Sequence, residues 1–288
     1  MLGAAGIAVN AVLPAIAKSK NGRVVAVASR DPHRARKLVE AYPGAYAAGS
    51  YDALLADPSV DAVYIPLVNS VHKAWTMRAL AAEKHVLCEK PLAMNAVEAE
   101  EMAVAAESSG KHLMEAFMYR FHPRTRRFVE GIRDPMYLQA SFGFTVRGKA
   151  DYRLDGRLGG GALLDVGCYG VSVVRWILGE PAQVLALSRL DGDVDMTTSA
   201  LFEFAGGQTA TVWASFESPE TQELTVVARD GVHHLERPFS PREEPDSYQL
   251  MVESFGESVI DGRPVAIPVR ESVANMRVLD RIREAARA

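Results

Sequence analysis

The sequence predicts an α/β protein in two parts: a parallel sheet domain over residues 1–117, then an α+β domain with a mostly antiparallel open sheet over residues 118–288. Three observations lead to this prediction. The first 116 residues alternate short apolar runs with helical stretches, which is typical of right-handed βαβ units. After Met118 apolar and polar residues alternate, as in half-buried antiparallel strands. A chain of 288 residues is also long enough for two domains.

Four apolar runs are the predicted strands of the first domain. They are VVAVAS (24–29), VDAVYIPL (60–67), HVLCEK (85–90) and HLMEAF (112–117). Helical stretches follow the first three, over 31–42, 70–83 and 95–110. Asp31-Pro32 and Asn95 are typical helix starts, and Gly110 is a typical stop. Strands and helices of this length and order predict a parallel sheet.

The second domain contains predicted strand pairs and two helices. SALFEF and TATVWASF form a hairpin across AGGQ, a second pair turns at Asp230-Gly231, and YLQASFGFTVR adds a strand. The helices cover 162–179 and 272–288. Apolar faces that include Phe202, Phe204 and Trp213 would be sticky if left uncovered. We therefore expect the chain to form a homodimer through this sheet.

Bulk properties exclude several partners. The formal net charge of −4 gives no reason to expect nucleic acid or an anionic membrane, and no apolar run approaches the ~20 residues that span a bilayer. The two cysteines, Cys88 and Cys168, form neither a disulfide framework nor a metal-ligand pattern. We expect both to be buried, no metal, and a cytoplasmic location.

The opening stretch MLGAAGIAVNAVLPAI places Gly3, Ala5 and Ala8 as in the turn of a dinucleotide-binding, Rossmann-type domain. Small residues there let the backbone approach a pyrophosphate, and the N–H groups at the start of the following helix can bind this anion. Ile7, in the same turn, is a further cofactor-binding candidate. The next strand ends in Ser29-Arg30, with Arg34 one helical turn further on, and has no carboxylate where NAD-binding proteins carry one. An Arg can pair with a 2′-phosphate, so the sequence favours NADP over NAD. The alternative is that Arg30 is a solvated surface charge.

The strand that should precede this turn is nearly missing. Only Met1 and Leu2 stand before Gly3, whereas a typical strand needs ~5–6 residues. Either residues upstream complete the strand, with Met1-Leu2 as its tail, or another segment fills the gap. We expect weak cofactor binding and low stability if the chain begins at Met1.

Three stretches carry the candidate site: YIPLVNSVH (64–72), CEKPL (88–92) and LGGGALLDVGCYG (158–170). Open α/β sheets bind ligands just past the carboxyl ends of their strands. The candidates in that position are Pro66, Asn69, His72, Glu89 and Lys90. In the third stretch Asp165 and Tyr169 are at i and i+4, so one helix face presents both. The alternative is that Asp165 caps a loop and Tyr169 only packs.

These motifs resemble the Gfo/Idh/MocA family of NAD(P)-dependent oxidoreductases, from Gly3 to the last helix. EAFMYRFHP (115–123) and GGGALLDVGCYGVSVVRWILGEP are most similar to the branch with dihydrodiol dehydrogenase, xylose dehydrogenase and sugar ketoreductases. The resemblance implies that Lys90 and Tyr169 are the catalytic pair, Tyr169 standing where many relatives carry His. It also implies that His72 lies near the nicotinamide ribose, unless it bonds a backbone carbonyl.

The chemistry agrees with that implication. Interconverting a carbinol and a ketone moves a hydride at the nicotinamide and a proton at the oxygen. A phenol of pKa ~10 needs a neighbouring cation to act near pH 7, and Lys90 supplies one. Asp165 would orient Lys90 or accept a sugar hydroxyl. Tyr119 and Arg120 are further candidates for contact with nicotinamide or substrate.

The sequence therefore predicts an NADP(H)-dependent oxidoreductase that acts on a secondary alcohol or carbonyl of a sugar or sugar-like ring. An aldose 1-dehydrogenase, a dihydrodiol dehydrogenase and a ketoreductase of deoxysugar assembly remain open. The alternative from another class is a non-catalytic cofactor-binding sensor, or an inactive truncated homologue.

Overall fold

The computed structural model describes residues 1–148 and 151–287. The strands are β1 Ala26–Val27, β2 Tyr46–Ala47, β3 Ala62–Ile65, β4 His85–Cys88, β5 Leu113–Glu115, β6 Pro135–Thr145, β7 Gln183–Asp191, β8 Val194–Glu203, β9 Thr209–Ser215, β10 Glu217–Ala228 and β11 Gly231–Glu236. The α-helices are α1 Leu13–Lys18, α2 Pro32–Val39, α3 Tyr51–Leu55, α4 His72–Ala81, α5 Ala96–Ser109, α6 Pro123–Gly131, α7 Cys168–Leu178, α8 Ser247–Asp261 and α9 Val269–Ala285.

The described residues form two compact units. The first comprises Met1–Ala93, Val97–Phe121 and Glu243–Val273, and the second comprises the rest of the described chain. The units do not follow a single boundary between residues 117 and 118, because α8 packs against α1 and the 3₁₀ turn Met118–Phe121 of the first unit. Residues from the C-terminal third of the chain thus complete the first unit.

The first unit contains the predicted parallel strands. β1 pairs with β2, and β3, β4 and β5 form a second parallel set in that order. Leu2 lies between the two sets: its N–H donates to the Tyr64 carbonyl at 3.0 Å, and it forms a parallel bridge with Ala28. Met1 and Leu2 therefore occupy the end of the place where a first strand is expected.

The second unit is a six-stranded sheet in the order β11-β10-β6-β9-β8-β7. Neighbouring strands are antiparallel except β6 and β9, which are parallel. α7 packs on β6 and β9 and continues a π turn, Leu163–Gly167. The fold class and the mostly antiparallel character of this sheet confirm the sequence prediction.

The prediction that Phe202 and Phe204 lie on the face that forms the dimer is wrong. Phe202 and Phe204 are 0% and 3% exposed, so the unit's own core covers them. The opposite face carries Leu185, Leu187 and Leu201, which are 63%, 79% and 44% exposed. Alternation along a strand predicts two faces, but it does not tell which of them the protein's own helices cover.

One described segment, Gly156–Leu178, is long and apolar enough to cross a membrane by length and composition. Within its most apolar window 78% is buried inside the protein, as expected of a core helix.

Candidate functional site

The first candidate region is the turn that follows Leu2. Gly3 has φ +104°, and a Cβ there would lie 2.7 Å from Leu67 Cδ2, so the backbone needs glycine at this position. Ala8 is fully buried, which lets the following helix lie close to the strands, while Ile7 is 36% exposed. The helix continues through a π turn, Ala8–Val12, into α1. The helix therefore begins directly after a turn, residues 3–5, that consists only of glycine and alanine.

The strand end after β1 presents cationic and hydroxyl groups. The side chain of Asp31 caps α2 by accepting from the His33 and Arg34 N–H groups at 2.9 and 3.4 Å. Arg30 is exposed, and the Arg34 guanidinium donates to the Ala4 carbonyl of the glycine turn at 2.8 Å. Ser29 Oγ accepts from the Asp31 N–H at 3.2 Å. The carboxylate of Asp31, which follows Arg30, thus already accepts hydrogen bonds from the first N–H groups of α2.

The loop after β4 holds Lys90 and is fixed by neighbouring side chains. The Tyr64 hydroxyl donates to Glu89 at 2.6 Å, and the Leu92 N–H donates to Glu115 at 2.8 Å. His72 is buried, with its Nδ1 and Nε2 each 2.9 Å from a backbone carbonyl, those of Pro91 and Leu67. His72 thus bonds backbone carbonyls, one of the two alternatives that the sequence left open.

Burial controls the electrostatics of this loop. It raises the pKa of Glu115 to about 7, although the Leu92 N–H and the charge of Arg120 act in the opposite direction. Burial also raises the pKa of Tyr248, which is within reach of the charges of Glu89 and Lys90. Sequence reasoning missed Tyr248 because it lies on α8, which the chain reaches only after the second unit. No motif marks it.

Tyr169 belongs to an aromatic cluster of the second unit. Its ring centroid is 5.7 Å from that of Phe142 and 5.5 Å from that of Phe239, and the latter two rings stack at 5.6 Å. Tyr169 is 8% exposed. Contacts of this kind hold an aromatic ring in one orientation, which is what a proton-transfer group needs.

Asp165 forms an ion pair that the sequence did not predict. Arg153 Nε donates to it at 2.8 Å, and the same guanidinium lies 3.3 Å from Asp151. The three glycines before the helix permit this approach: Gly160 has no room for a Cβ, which would lie 2.4 Å from the Arg153 carbonyl. Asp165 lies in the π turn and Tyr169 in α7, so the regular i, i+4 geometry does not hold between them.

The remaining candidates have structural partners. Arg120 pairs with Glu271, and Tyr119 is fully buried. Asn69 and Pro66 are buried near the end of β3. Cys88 and Cys168 are buried free thiols, as predicted. Among the described residues no group of three or more His, Cys, Asp or Glu side chains is placed to hold a metal ion.

Comparisons with known proteins match both units. Residues 1–117 match the model of an oxidoreductase family with an NAD-binding Rossmann fold, and residues 132–233 match a GFO/IDH/MocA C-terminal domain. The chain belongs to the Gfo/Idh/MocA family of oxidoreductases. The resemblance that the motifs indicate is therefore confirmed.

Relatives of this Gfo/Idh/MocA oxidoreductase match from 78% to 99% of its length in the three comparisons that follow. It is 39% identical to a D-xylose 1-dehydrogenase (NADP(+)) of Haloferax volcanii, over 99% of this chain and 96% of the relative. It is 35% identical to a trans-1,2-dihydrobenzene-1,2-diol dehydrogenase of Mus musculus, over 78% and 70% of the two chains. A crystal structure of a 3-ketoreductase from Actinomadura kijaniata with NADP and TDP-benzene has a TM-score of 0.92 at 30% identity, covering 99% and 96%.

The first unit matches an NAD-binding Rossmann fold, and its residues fit the NADP(H) that the sequence predicts. The turn at Gly3, which has no side chain, would let a pyrophosphate approach the backbone, and the β1 end offers Arg30 next to Asp31, whose carboxylate caps α2. A cationic strand end without a free carboxylate suits a 2′-phosphate.

Proposed function

We propose that this Gfo/Idh/MocA oxidoreductase interconverts a secondary alcohol and a carbonyl in a sugar or sugar-like ring, with Lys90 and Tyr169 handling the proton. The observation that supports it is the loop of Lys90, whose backbone is bound directly after the lysine, at Pro91 by His72 and at Leu92 by Glu115. A lysine on a fixed loop presents its charge at one place, whereas most surface lysines are mobile.

In the direction of oxidation, the substrate loses a hydride from carbon and a proton from oxygen. NADP⁺, held by the glycine turn and the β1 end, would supply the acceptor for the hydride of the carbinol carbon. The Tyr169 phenolate takes the proton of the substrate hydroxyl, and the Lys90 ammonium stabilises the phenolate and hydrogen-bonds the substrate oxygen. Reduction reverses both transfers. Asp165 holds Arg153 and accepts a sugar hydroxyl with its remaining capacity.

The proposed substrate class is an aldose oxidised at its anomeric carbon. Support comes from the xylose dehydrogenase, which matches along 99% of this chain. A nucleotide-linked ketosugar is the second candidate, because the ketoreductase structure shares the fold over the same length. Cyclic diols complete the set to be assayed.

The test measures NADPH absorbance with aldopentoses, aldohexoses and cyclic diols in the oxidative direction, and ketosugars in the reductive direction. Lys90→Ala and Tyr169→Phe should each lower kcat by roughly 10²- to 10⁴-fold. The affinity for NADPH should change much less in Tyr169→Phe. Lys18→Ala and Tyr42→Phe, away from the proposed site, serve as controls with unchanged kcat.

Two results would contradict the proposal. Turnover that survives both active-site substitutions would remove Lys90 and Tyr169 from the mechanism. NADPH binding without turnover of any substrate would favour a cofactor-binding sensor.

We also propose that the chain is a homodimer through the outer face of the β6–β11 sheet. Leu185, Leu187 and Leu201 form an apolar patch there, since Leu185 is the register partner of Leu201. A second copy of this flat face is the partner that covers it on both molecules at once.

A further inference from the structure

Tyr51, which belongs to none of the sequence motifs, lies beside the glycine turn of the first unit. β2 runs parallel to β1, so the carboxyl ends of both strands meet at one edge of the sheet. Tyr51 follows β2 at this edge as Arg30 follows β1. A Cβ added to Gly3 would lie 3.8 Å from the Tyr51 hydroxyl oxygen. The hydroxyl group is therefore within contact distance of the turn.

The same hydroxyl group interacts with Arg30. Burial raises the pKa of Tyr51 above its usual value, while the charge of Arg30 and a hydrogen bond from its backbone act in the opposite direction. The raised pKa keeps the hydroxyl protonated at neutral pH. Because a backbone donates through its N–H, the hydroxyl oxygen is the acceptor of that bond. The hydroxyl can still donate its own hydrogen to a bound group.

Packing between α3 and α4 fixes the ring of Tyr51. The ring meets that of Trp75 edge-to-face, with the centroids 4.8 Å apart and the planes at 90°. The Arg78 guanidinium lies 4.5 Å from the Trp75 ring centroid and forms an ion pair with Asp52, the neighbour of Tyr51. The Ser50 side chain caps the start of α3. These contacts hold the hydroxyl in one place, as a specific hydrogen bond to a ligand requires.

The two neighbours of the hydroxyl indicate which part of the cofactor it faces. The turn at Gly3 fits the pyrophosphate of NADP(H), and Arg30 is the cation that fits the 2′-phosphate. The adenosine ribose joins these two groups, so a hydroxyl next to both residues lies on the ribose side. A phosphate monoester carries three strong acceptor oxygens, and a protonated hydroxyl beside an Arg is a suitable donor to them.

We propose that Tyr51 is a cofactor-specificity residue, whose hydroxyl donates a hydrogen bond to the 2′-phosphate of NADP(H) beside Arg30. NAD(H) has a neutral hydroxyl at this position and gains much less from the same donor. Preference for the phosphorylated cofactor thus comes from residues after β2 as well as after β1. The inference rests on NADP(H) as the cofactor, but not on the substrate or on the roles of Lys90 and Tyr169.

Titration calorimetry tests the proposal with two pairs of probes that differ by the 2′-phosphate. They are NADPH with NADH, and adenosine 2′,5′-bisphosphate with AMP. Tyr51→Phe keeps the ring and removes only the hydroxyl group. It should weaken the binding of NADPH and of the bisphosphate by roughly 10- to 100-fold, and that of NADH and AMP by less than about threefold. Tyr42→Phe, after α2 in the same unit, is the matched control and should leave all four affinities unchanged.

Phosphorus NMR of bound NADPH gives a readout that a merely structural role would not move. A hydrogen bond to the 2′-phosphate favours its dianion, so the bound group should titrate below the second pKa of about 6 that a free phosphate monoester has. With saturating Tyr51→Phe protein this phosphate pKa should rise toward the value of the free cofactor. With Tyr42→Phe it should equal that of the unsubstituted complex.

Three results would overturn the proposal. Equal losses for both members of each probe pair would assign the Tyr51 hydroxyl to the pyrophosphate or to the folding of the turn. Unchanged affinities in Tyr51→Phe would remove the hydroxyl from the cofactor site. If the unsubstituted chain binds none of the four probes, the cofactor assignment fails and the role of Tyr51 with it. The expected affinities without turnover of any substrate would support this role and contradict only the proposed function.

Discussion

Glu115 lies at the end of β5, is 1% exposed, and accepts the Leu92 N–H of the loop that holds Lys90. The loop therefore depends on a carboxyl group in an apolar surrounding, where the charged form is disfavoured. Burial raises the pKa of Glu115 to about 7, well above its usual 4.5. Near neutral pH the loop is thus held by a group close to its titration point.

The first prediction concerns this residue. Between pH 4.5 and 7 the folded protein keeps the Glu115 proton and the unfolded chain loses it, so the contribution of Glu115 to stability falls as pH rises. The free energy of unfolding of the chain minus that of Glu115→Gln should therefore decrease across this interval by up to about 1.4 kcal/mol per pH unit. Urea titrations at pH 5, 6, 7 and 8 measure it.

The difference in free energy of unfolding between the two proteins reports on Glu115 alone, because every other titratable group is present in both. Glu223→Gln, an exposed substitution on β10, is the control measured in the same way. A flat difference for Glu115→Gln would show that the folded protein ionises this carboxyl normally.

At the scale of elements, the contact between α7 and β9 positions Tyr169. Gly170 follows the tyrosine, and a Cβ there would lie 2.7 Å from Val212 Cγ1 and 3.6 Å from Val212 Cβ. Val212 is 2% exposed and β-branched, so its side chain has little freedom to turn away. The helix reaches the sheet only because residue 170 has no side chain.

The second prediction is that Gly170→Ala destabilises the protein by about 1–3 kcal/mol, because the helix must move away from the sheet. In an ordinary helix the same change stabilises by roughly 0.5–1 kcal/mol. Gly131→Ala is the matched control, since Gly131 ends α6 with nothing within 4 Å of its added Cβ. Urea unfolding gives both values, and a stabilised Gly170→Ala would disprove the close contact. Loss of kcat in this variant would further support the role of Tyr169.

Periodicity predicted the elements whose sequence repeats its pattern for long enough. The strands of the first unit and the hairpin of β8 and β9 were predicted, whereas β2 has two residues and no pattern to detect. β7, α6 and α8 were also missed, and α8 joins the first unit through contacts that no local signal encodes. In the first unit the observed strands β1 and β3–β5 lie within the predicted runs, but regular pairing is shorter and ends earlier than predicted, as for β1 within the predicted 24–29.

Candidate residues could be found from sequence, whereas most of their partners could not. Glu-Lys-Pro and Gly-Cys-Tyr-Gly are local motifs, so Lys90 and Tyr169 were selected directly. The bonds from Glu115 to Leu92 and from Arg153 to Asp165 depend on tertiary packing across 23 and 12 residues. For the same reason it required the structure to show that Phe202, expected on the apolar face of a dimer, is buried in the unit's own core.

At the scale of the whole molecule, the outer sheet face is the surface through which we propose that the chain forms a homodimer. β7 is an edge strand whose outward residues include Leu185 and Leu187, and Trp213 on β9 continues the same face half-buried. Burying a leucine removes roughly 1.5–3 kcal/mol of unfavourable hydration. In a two-fold dimer each residue enters the interface twice, which doubles that gain.

The last prediction follows from this doubling. Leu187→Lys puts a charge on both copies of the face and removes two buried leucines, so the dimer dissociation constant should rise at least about 100-fold. Val97→Lys is the control, because Val97 is 69% exposed on α5 and belongs to the first unit. Sedimentation equilibrium over a range of protein concentrations measures both variants. If Leu187→Lys remains dimeric while Val97→Lys dissociates, the interface is on the first unit. If the unsubstituted chain is monomeric at every concentration, the exposed leucines do not serve self-association, and the second unit folds without a partner on this face.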